Sequence, residues 1–241
     1  MVDADPVPRS GDAGRTVSAP VNNLVLRVIS AVVLAPVAIY TAYLGGWPFT
    51  VFWAAAAVAV LWEWISLVTG LGWIIAGIGY AGIMLLAPLL LRCDEAYGFL
   101  AVLLLFAIVW TTDVLGYFAG RAFGGPKLLP AVSPKKTWSG AIAGTLGAMI
   151  VAVLAASFFG TFNRTAIAII ALLLSVVAQL GDLFESWVKR QFGAKDASHL
   201  IPGHGGVMDR LDGFWAAALV GCVIGLLRGG FDGAARGLLV W

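Results

Sequence analysis

The sequence predicts an all-α, polytopic integral membrane protein of about seven transmembrane helices, with a polar active site facing the cytoplasm. Three observations predict it. Of the 241 residues, 61% are hydrophobic and only 12% charged, about half the ~25% charged share of an ordinary soluble domain. Apolar windows approaching the ~20 residues needed to cross ~30 Å of hydrocarbon recur along the chain. The 30 glycines sit among Leu, Val, Ile, Ala and Trp rather than in polar repeats, as helix-packing residues do in lipid.

The windows run approximately over residues 28–44, 48–68, 71–91, 97–120, 138–159, 165–184 and 213–227, the last being short. Residues 1–23, with Asp3, Asp5, Arg9, Asp12 and Arg15 among scattered Pro and Gly, read as a disordered cytoplasmic tail rather than a cleaved signal peptide. Residues 24–96 then form the N-terminal helices and 97–241 the catalytic region. Trp47, Trp53, Trp62, Trp64, Trp110, Trp138, Trp187 and Trp215 fall mostly toward window ends, where an indole suits the headgroup level.

Two connections, 121–137 and 185–212, are longer and more polar than the rest. With seven spans both lie on the N-terminal side of the membrane. That side carries Arg9, Arg15, Arg27, Arg121, Lys127, Lys135, Lys136, Lys189, Arg190, Lys195 and Arg210, against Arg92, Arg164, Arg228 and Arg236 on the other. The excess of Lys and Arg on cytoplasmic loops places the N-terminus and both connections in the cytoplasm, within reach of a soluble nucleotide. A net charge of +2 and the absence of basic runs interleaved with aromatics argue against nucleic acid as a partner. Cys93 and Cys222 are far apart and read as small apolar residues.

Ionisable groups inside apolar windows are costly and mark functional candidates; here they are Glu63, Asp113 and Asp182. Glu63, in Trp62-Glu63-Trp64, has the alternative of hydrogen-bonding within the bundle or snorkelling. Asp113 and Asp182 each lie near the cytoplasmic end of a window, before a basic connection, where a carboxylate can hold a cation while partly hydrated.

The 185–212 stretch combines Lys189, Arg190, Lys195 and Arg210 with Glu185, Asp196, Asp209 and Asp212, and adds Ser186, His199 and the run Gly203-His204-Gly205-Gly206. A phosphate site needs this mixture: basic groups for phosphoryl oxygens, carboxylates for Mg²⁺, and glycines that let backbone N–H groups approach an anion. Asp209 and Asp212 are three apart and share one face if the next helix starts early. Oxygen donors without a Cys cluster or paired His select a hard cation, so Mg²⁺ is the expected metal. His204 has two readings, a base or phosphate contact and a turn-stabilising donor; His199 reads as structural. In the first connection, Ser133-Pro134-Lys135-Lys136-Thr137-Trp138 supplies two cations and two hydroxyls just before a helix N-terminus, which reads as a phosphate-contacting turn, a positive-inside anchor, or both.

These residues resemble, position for position, the signature of phosphatidate cytidylyltransferases (CDP-diacylglycerol synthases): Ser186, Lys189-Arg190, Lys195-Asp196, Pro202, His204-Gly205-Gly206, Asp209-Arg210 and Asp212. Asp113, Tyr117, Gly120-Arg121, Phe123-Gly124, the Ser133–Trp138 run and Gly181-Asp182 also look like that family. Ser139 departs from it, standing where relatives commonly carry Glu. The resemblance implies transfer of the cytidylyl group from CTP to phosphatidate in the bilayer, giving CDP-diacylglycerol and pyrophosphate for phospholipid synthesis. It also implies that Asp182 and Asp209 bind Mg²⁺, with a second cation in the family's centre, and that Asp212, Lys195 and His204 share the catalytic work. Ser133, Lys135, Lys136, Thr137, Ser186, Lys189, Arg190, Arg210, Gly205, Gly206 and Asp113 are the expected substrate-binding residues. A homodimer is left open. Because the lipid's own phosphate can attack the α-phosphorus, no protein nucleophile is required. A transporter, the rival reading, predicts charges at the bilayer midplane and an internal repeat, whereas the charges here gather at one interface and no repeat is visible. A lipid kinase, the rival among enzymes, would transfer a γ-phosphoryl group instead.

Overall fold

The computed structural model describes residues 20–160, 162–198, 200 and 205–241, with side chains from residue 32 onward. Eight helices and a two-stranded ribbon follow one another: α1 (Pro20–Leu44), α2 (Gly46–Leu67), α3 (Leu71–Arg92), α4 (Gly98–Phe123), β1 (Lys127–Leu129), β2 (Ser133–Thr137), α5 (Trp138–Phe159), α6 (Arg164–Gln191), α7 (Met208–Gly229) and α8 (Ala234–Leu239). Each of the seven sequence windows falls on one of α1 to α7. Among the described residues six helices, α2 to α7, are long and apolar enough to cross a membrane, whereas α1 contributes the shorter apolar stretch Val32–Leu44. The protein is thus an all-α membrane protein, with one β-hairpin among the described residues.

Several boundaries differ from the sequence reading, for physical reasons. Helix α1 begins at Pro20, inside the stretch read as a tail, with Pro at the first helical position where its missing N–H costs nothing. The 121–137 connection is not structureless: it pairs β1 with β2 antiparallel, Lys127 opposite Thr137 and Leu129 opposite Ser133. The 185–212 connection is helical at both ends, because α6 continues to Gln191 and α7 starts at Met208. Polarity in that segment marks the helix faces turned toward one another, and hydropathy alone mistakes such faces for loop. Trp53 and Trp64 pack inside the bundle rather than facing outward. Both are buried, Trp53 stacked on Phe214 with centroids 4.9 Å apart and Trp64 donating to the Trp73 carbonyl at 2.8 Å.

Small residues decide which helices meet. A Cβ at Gly140 would stand 2.5 Å from the Gly116 carbonyl oxygen, and one at Gly144 2.5 Å from that of Thr112, so α4 and α5 touch along their backbones as small-residue seams allow in lipid. Across α6 and α7 a Cβ at Gly181 would lie 2.7 Å from both the Ala216 methyl and the Asp212 carbonyl oxygen. Buried hydroxyls join α4, α5 and α6: Thr112 Oγ1 and Ser175 Oγ are 2.8 Å apart, Ser175 donates to Thr145 Oγ1 at 3.1 Å, and Gln179 donates to the same oxygen at 2.9 Å. At the far end Asp94 accepts from the amides of Ala96, Tyr97 and Arg236, closing the turn that leads into α4 and fastening α8.

Candidate active site

On α6, Ser175, Gln179, Asp182, Ser186 and Lys189 recur at intervals of three and four residues, which places them on one stripe. That stripe faces α4, α5 and α7. Asp182 forms an ion pair with Lys136, the fourth residue of β2, and its Oδ1 is 3.4 Å from Ser186 Oγ. Asp113 from α4 and Asp212 from α7 lie within electrostatic range of Asp182, with Lys136 close to both and Arg210 close to Asp113. Asp113 is exposed, and Asp182, Asp212 and Lys136 are half-buried. The result is a partly open cluster of three carboxylates and two cations built from four elements. The close approach at Gly181 is what brings Asp212 beside Asp182.

Helix α7 does start early, so Asp209 and Asp212 sit on its first turns, but they meet different neighbours. Lys189 Nζ donates to Asp209 Oδ1 at 2.5 Å and to Glu185 Oε1 at 2.9 Å, a buried triad. Asp209 Oδ2 accepts from the amides of Ala197 at 3.0 Å and Gly206 at 2.8 Å. The Gly206 N–H, expected to face an anion, therefore faces this carboxylate. Gly205 takes φ +86°, a left-handed conformation that glycine adopts without strain. Arg190 donates to the Ala194 carbonyl at 3.0 Å, and Lys195 is exposed on the connection. His199 and His204 lie outside the described residues, as do Pro202 and Gly203.

The first connection is organised by hydroxyls. Thr137 is buried and caps α5, accepting from the Gly140 amide at 3.2 Å. It also lies 3.0 Å from Ser139 Oγ, which donates to the Gly124 carbonyl at the end of α4. The residue that departs from the family pattern thus ties the hairpin to the helix before it. Ser133 is half-buried at the start of β2 and Lys135 exposed beside it. The sequence reading missed Tyr80, which is buried next to the triad, whereas Glu185, which it grouped with the phosphate-site residues, is fully buried within the triad. Tyr80 Oη and Glu185 Oε2 have no hydrogen-bond partner among the described residues.

Among the described residues no three Asp, Glu, His or Cys side chains are close enough together to hold a metal between them. The donor chemistry still suits Mg²⁺, which is usually held by one or two carboxylates together with substrate phosphates and water; Asp182 and its carboxylate neighbours are partly open oxygen donors of that kind. An apolar cavity of about 190 Å³ lies at the opposite ends of α4 and α5, lined by residues such as Leu104, Ala156 and Ile167. It has no group to perform chemistry.

Apolar helices that gather carboxylates and lysines at one end define an integral membrane enzyme built to handle polyanions. The chain belongs to the cytidylyltransferase family, whose sequence pattern matches residues 71–227. It is 42% identical to the phosphatidate cytidylyltransferase of Brucella abortus (strain 2308), over 82% of this chain and 91% of that protein. It is 35% identical to the enzyme of the same name from Rickettsia felis, over 85% of this chain and 93% of the relative. With the Rickettsia bellii enzyme it shares 39% identity over 79% and 86%.

Proposed function

We propose that this chain is a nucleotidyltransferase that joins CTP to phosphatidate, giving CDP-diacylglycerol and pyrophosphate in phospholipid biosynthesis. Its family and its relatives' activity support the reaction. The observation that carries the site is the cluster of Asp113, Asp182 and Asp212 with Lys136, drawn from four elements to one partly open end of an apolar bundle. A phosphate oxygen of phosphatidate forms a bond to the α-phosphorus of CTP while the bond from that phosphorus to the β,γ-pyrophosphate breaks, and pyrophosphate leaves with the electron pair. Both reactants are polyanions, so the protein's work is positioning and charge neutralisation.

Mg²⁺ would be held by Asp182 with Asp113 and Asp212 beside it, and would supply charge neutralisation on the phosphates. Asp209 was expected to share that ion with Asp182; with three protein donors already on its carboxylate, it serves chiefly to orient Lys189 and the connection. Lys136 and Arg210 lie where phosphoryl oxygens would approach the carboxylates, and exposed Lys135, Lys195 and Arg190 extend the positive field outward. The excess of Lys and Arg at this end supports a cytoplasmic orientation in the cell membrane, with α1 as a seventh span.

The test uses the full chain in mixed micelles with phosphatidate, Mg²⁺ and CTP labelled in the cytidine ring. Label is expected in the lipid phase with stoichiometric pyrophosphate. Absence of label beside an active control enzyme would overturn the reading, and transfer of a γ-phosphoryl group would replace it with a lipid kinase.

A further inference from the structure

Glu63 lies on α2, outside the expected site and distant in sequence from it. It is fully buried in a helix whose other residues carry no charge, a placement that is costly unless the carboxylate is matched by donors. The donors come from the connection before α7. Oε1 accepts from Ser198 Oγ at 2.6 Å and from the Val207 amide at 2.8 Å, and Oε2 accepts from the Met208 amide at 2.7 Å.

These contacts interlock with those of Asp209. Asp209 takes the amides of Ala197 and Gly206, and Glu63 takes the hydroxyl of Ser198 and the amides of Val207 and Met208. Two carboxylates, one from α2 and one from α7, therefore pinch residues 197–198 against 206–208. The leading amides of α7 are satisfied by carboxylates, as the positive end of a helix favours. Gly206 explains itself here, since a Cβ would stand 2.8 Å from both Glu63 oxygens. Ser198 Oγ also accepts from the Leu200 amide at 3.1 Å, which carries the constraint into the connection.

We propose that Glu63 is a positioning residue for the reaction. By clasping Ser198 on one side and Val207 and Met208 on the other, it sets where α7 begins, and so where Asp209 meets Lys189 and where the flanking cations Lys195 and Arg210 stand relative to the nucleotide. The inference rests on the reading of the Asp209–Lys189 region as part of the site.

The experiment compares Glu63→Ala, Glu63→Gln and Ser198→Ala with the parent and with Asp209→Ala, all as full chains in mixed micelles. Glu63→Ala is expected to lower kcat/KM for CTP about tenfold or more, as loss of several bonds to a buried carboxylate should. Amide exchange should accelerate in residues 197–208 while α4 and α5 remain protected. Glu63→Gln, which keeps one acceptor oxygen, should fall between parent and alanine variant. If Glu63→Ala does not fold, Ser198→Ala decides: the KM for CTP should rise about threefold or more in a protein that still melts cooperatively, because one bond to a charged acceptor is lost while the two amide donors to Glu63 remain. Normal kcat and KM in folded variants, even with lowered melting temperature, would overturn the proposal, as would accelerated exchange spread evenly over the bundle. If Asp209→Ala also turns over normally, the reading of the site falls and the inference with it; if Asp209→Ala is impaired and the Glu63 variants are normal, the inference alone fails.

Discussion

The β1–β2 hairpin and the 192–207 connection both leave an apolar bundle, and both must satisfy backbone groups that a helix would otherwise pair. The hairpin does this locally, with cross-strand pairing and a Thr137 cap. Of its lysines, Lys136 is half-buried and pairs with Asp182. The second connection imports its acceptors instead, from Glu63 on α2 and Asp209 on α7. The cation beside it, Lys189 near the end of α6, is buried between two carboxylates. Similar residue types thus do different work: a lysine at a half-open hairpin can exchange its partner for a phosphate, whereas a lysine in a buried triad holds the architecture.

That contrast can be broken at its strongest point first. Lys189→Ala leaves Glu185 and Asp209 buried without their cation, which should cost about 3 kcal/mol or more and reduce turnover to roughly a hundredth or less. Thermal melting in micelles and the labelled-CTP assay measure both; a parent-like melt would show that the triad holds nothing together. Lys136→Ala removes one member of a half-exposed pair, so stability should change by about 1 kcal/mol or less while kcat/KM falls about tenfold to a hundredfold. A variant whose loss is confined to stability would place Lys136 with the structural lysines. The smallest effect is expected from Thr137→Ala, about 1 kcal/mol from the lost cap, with turnover within about twofold of the parent because the buried hydroxyl is committed to α5. A larger loss of kcat with unchanged melting would return Thr137 to the phosphate site.

The helices were legible because a bilayer imposes length and apolarity on each span, and every window from 28–44 to 213–227 falls on a helix. The site segments were legible as chemistry but not as shape. Polarity marked 185–212 as a connection, yet α6 and α7 extend into it, since the polar stripe of Gln179, Asp182, Ser186 and Lys189 faces protein rather than lipid. A three-and-four spacing of polar residues within 175–189 was the available signal. No local pattern could show that Glu63 would find Ser198, Val207 and Met208, more than 130 positions away.

By itself, the sequence determined that this chain crosses a membrane repeatedly, which residue types gather near one interface, and which family it resembles. Those properties follow from composition, window length and spacing, which act along the chain. Only the tertiary structure decided the division of labour among the aspartates. Glycine contacts at Gly140, Gly144 and Gly181 set how closely the helices approach, and that approach places Asp182 with Asp113 and Asp212 while turning Asp209 toward Lys189. A carboxylate's role depends on the donors around it, and here those donors come from separate helices.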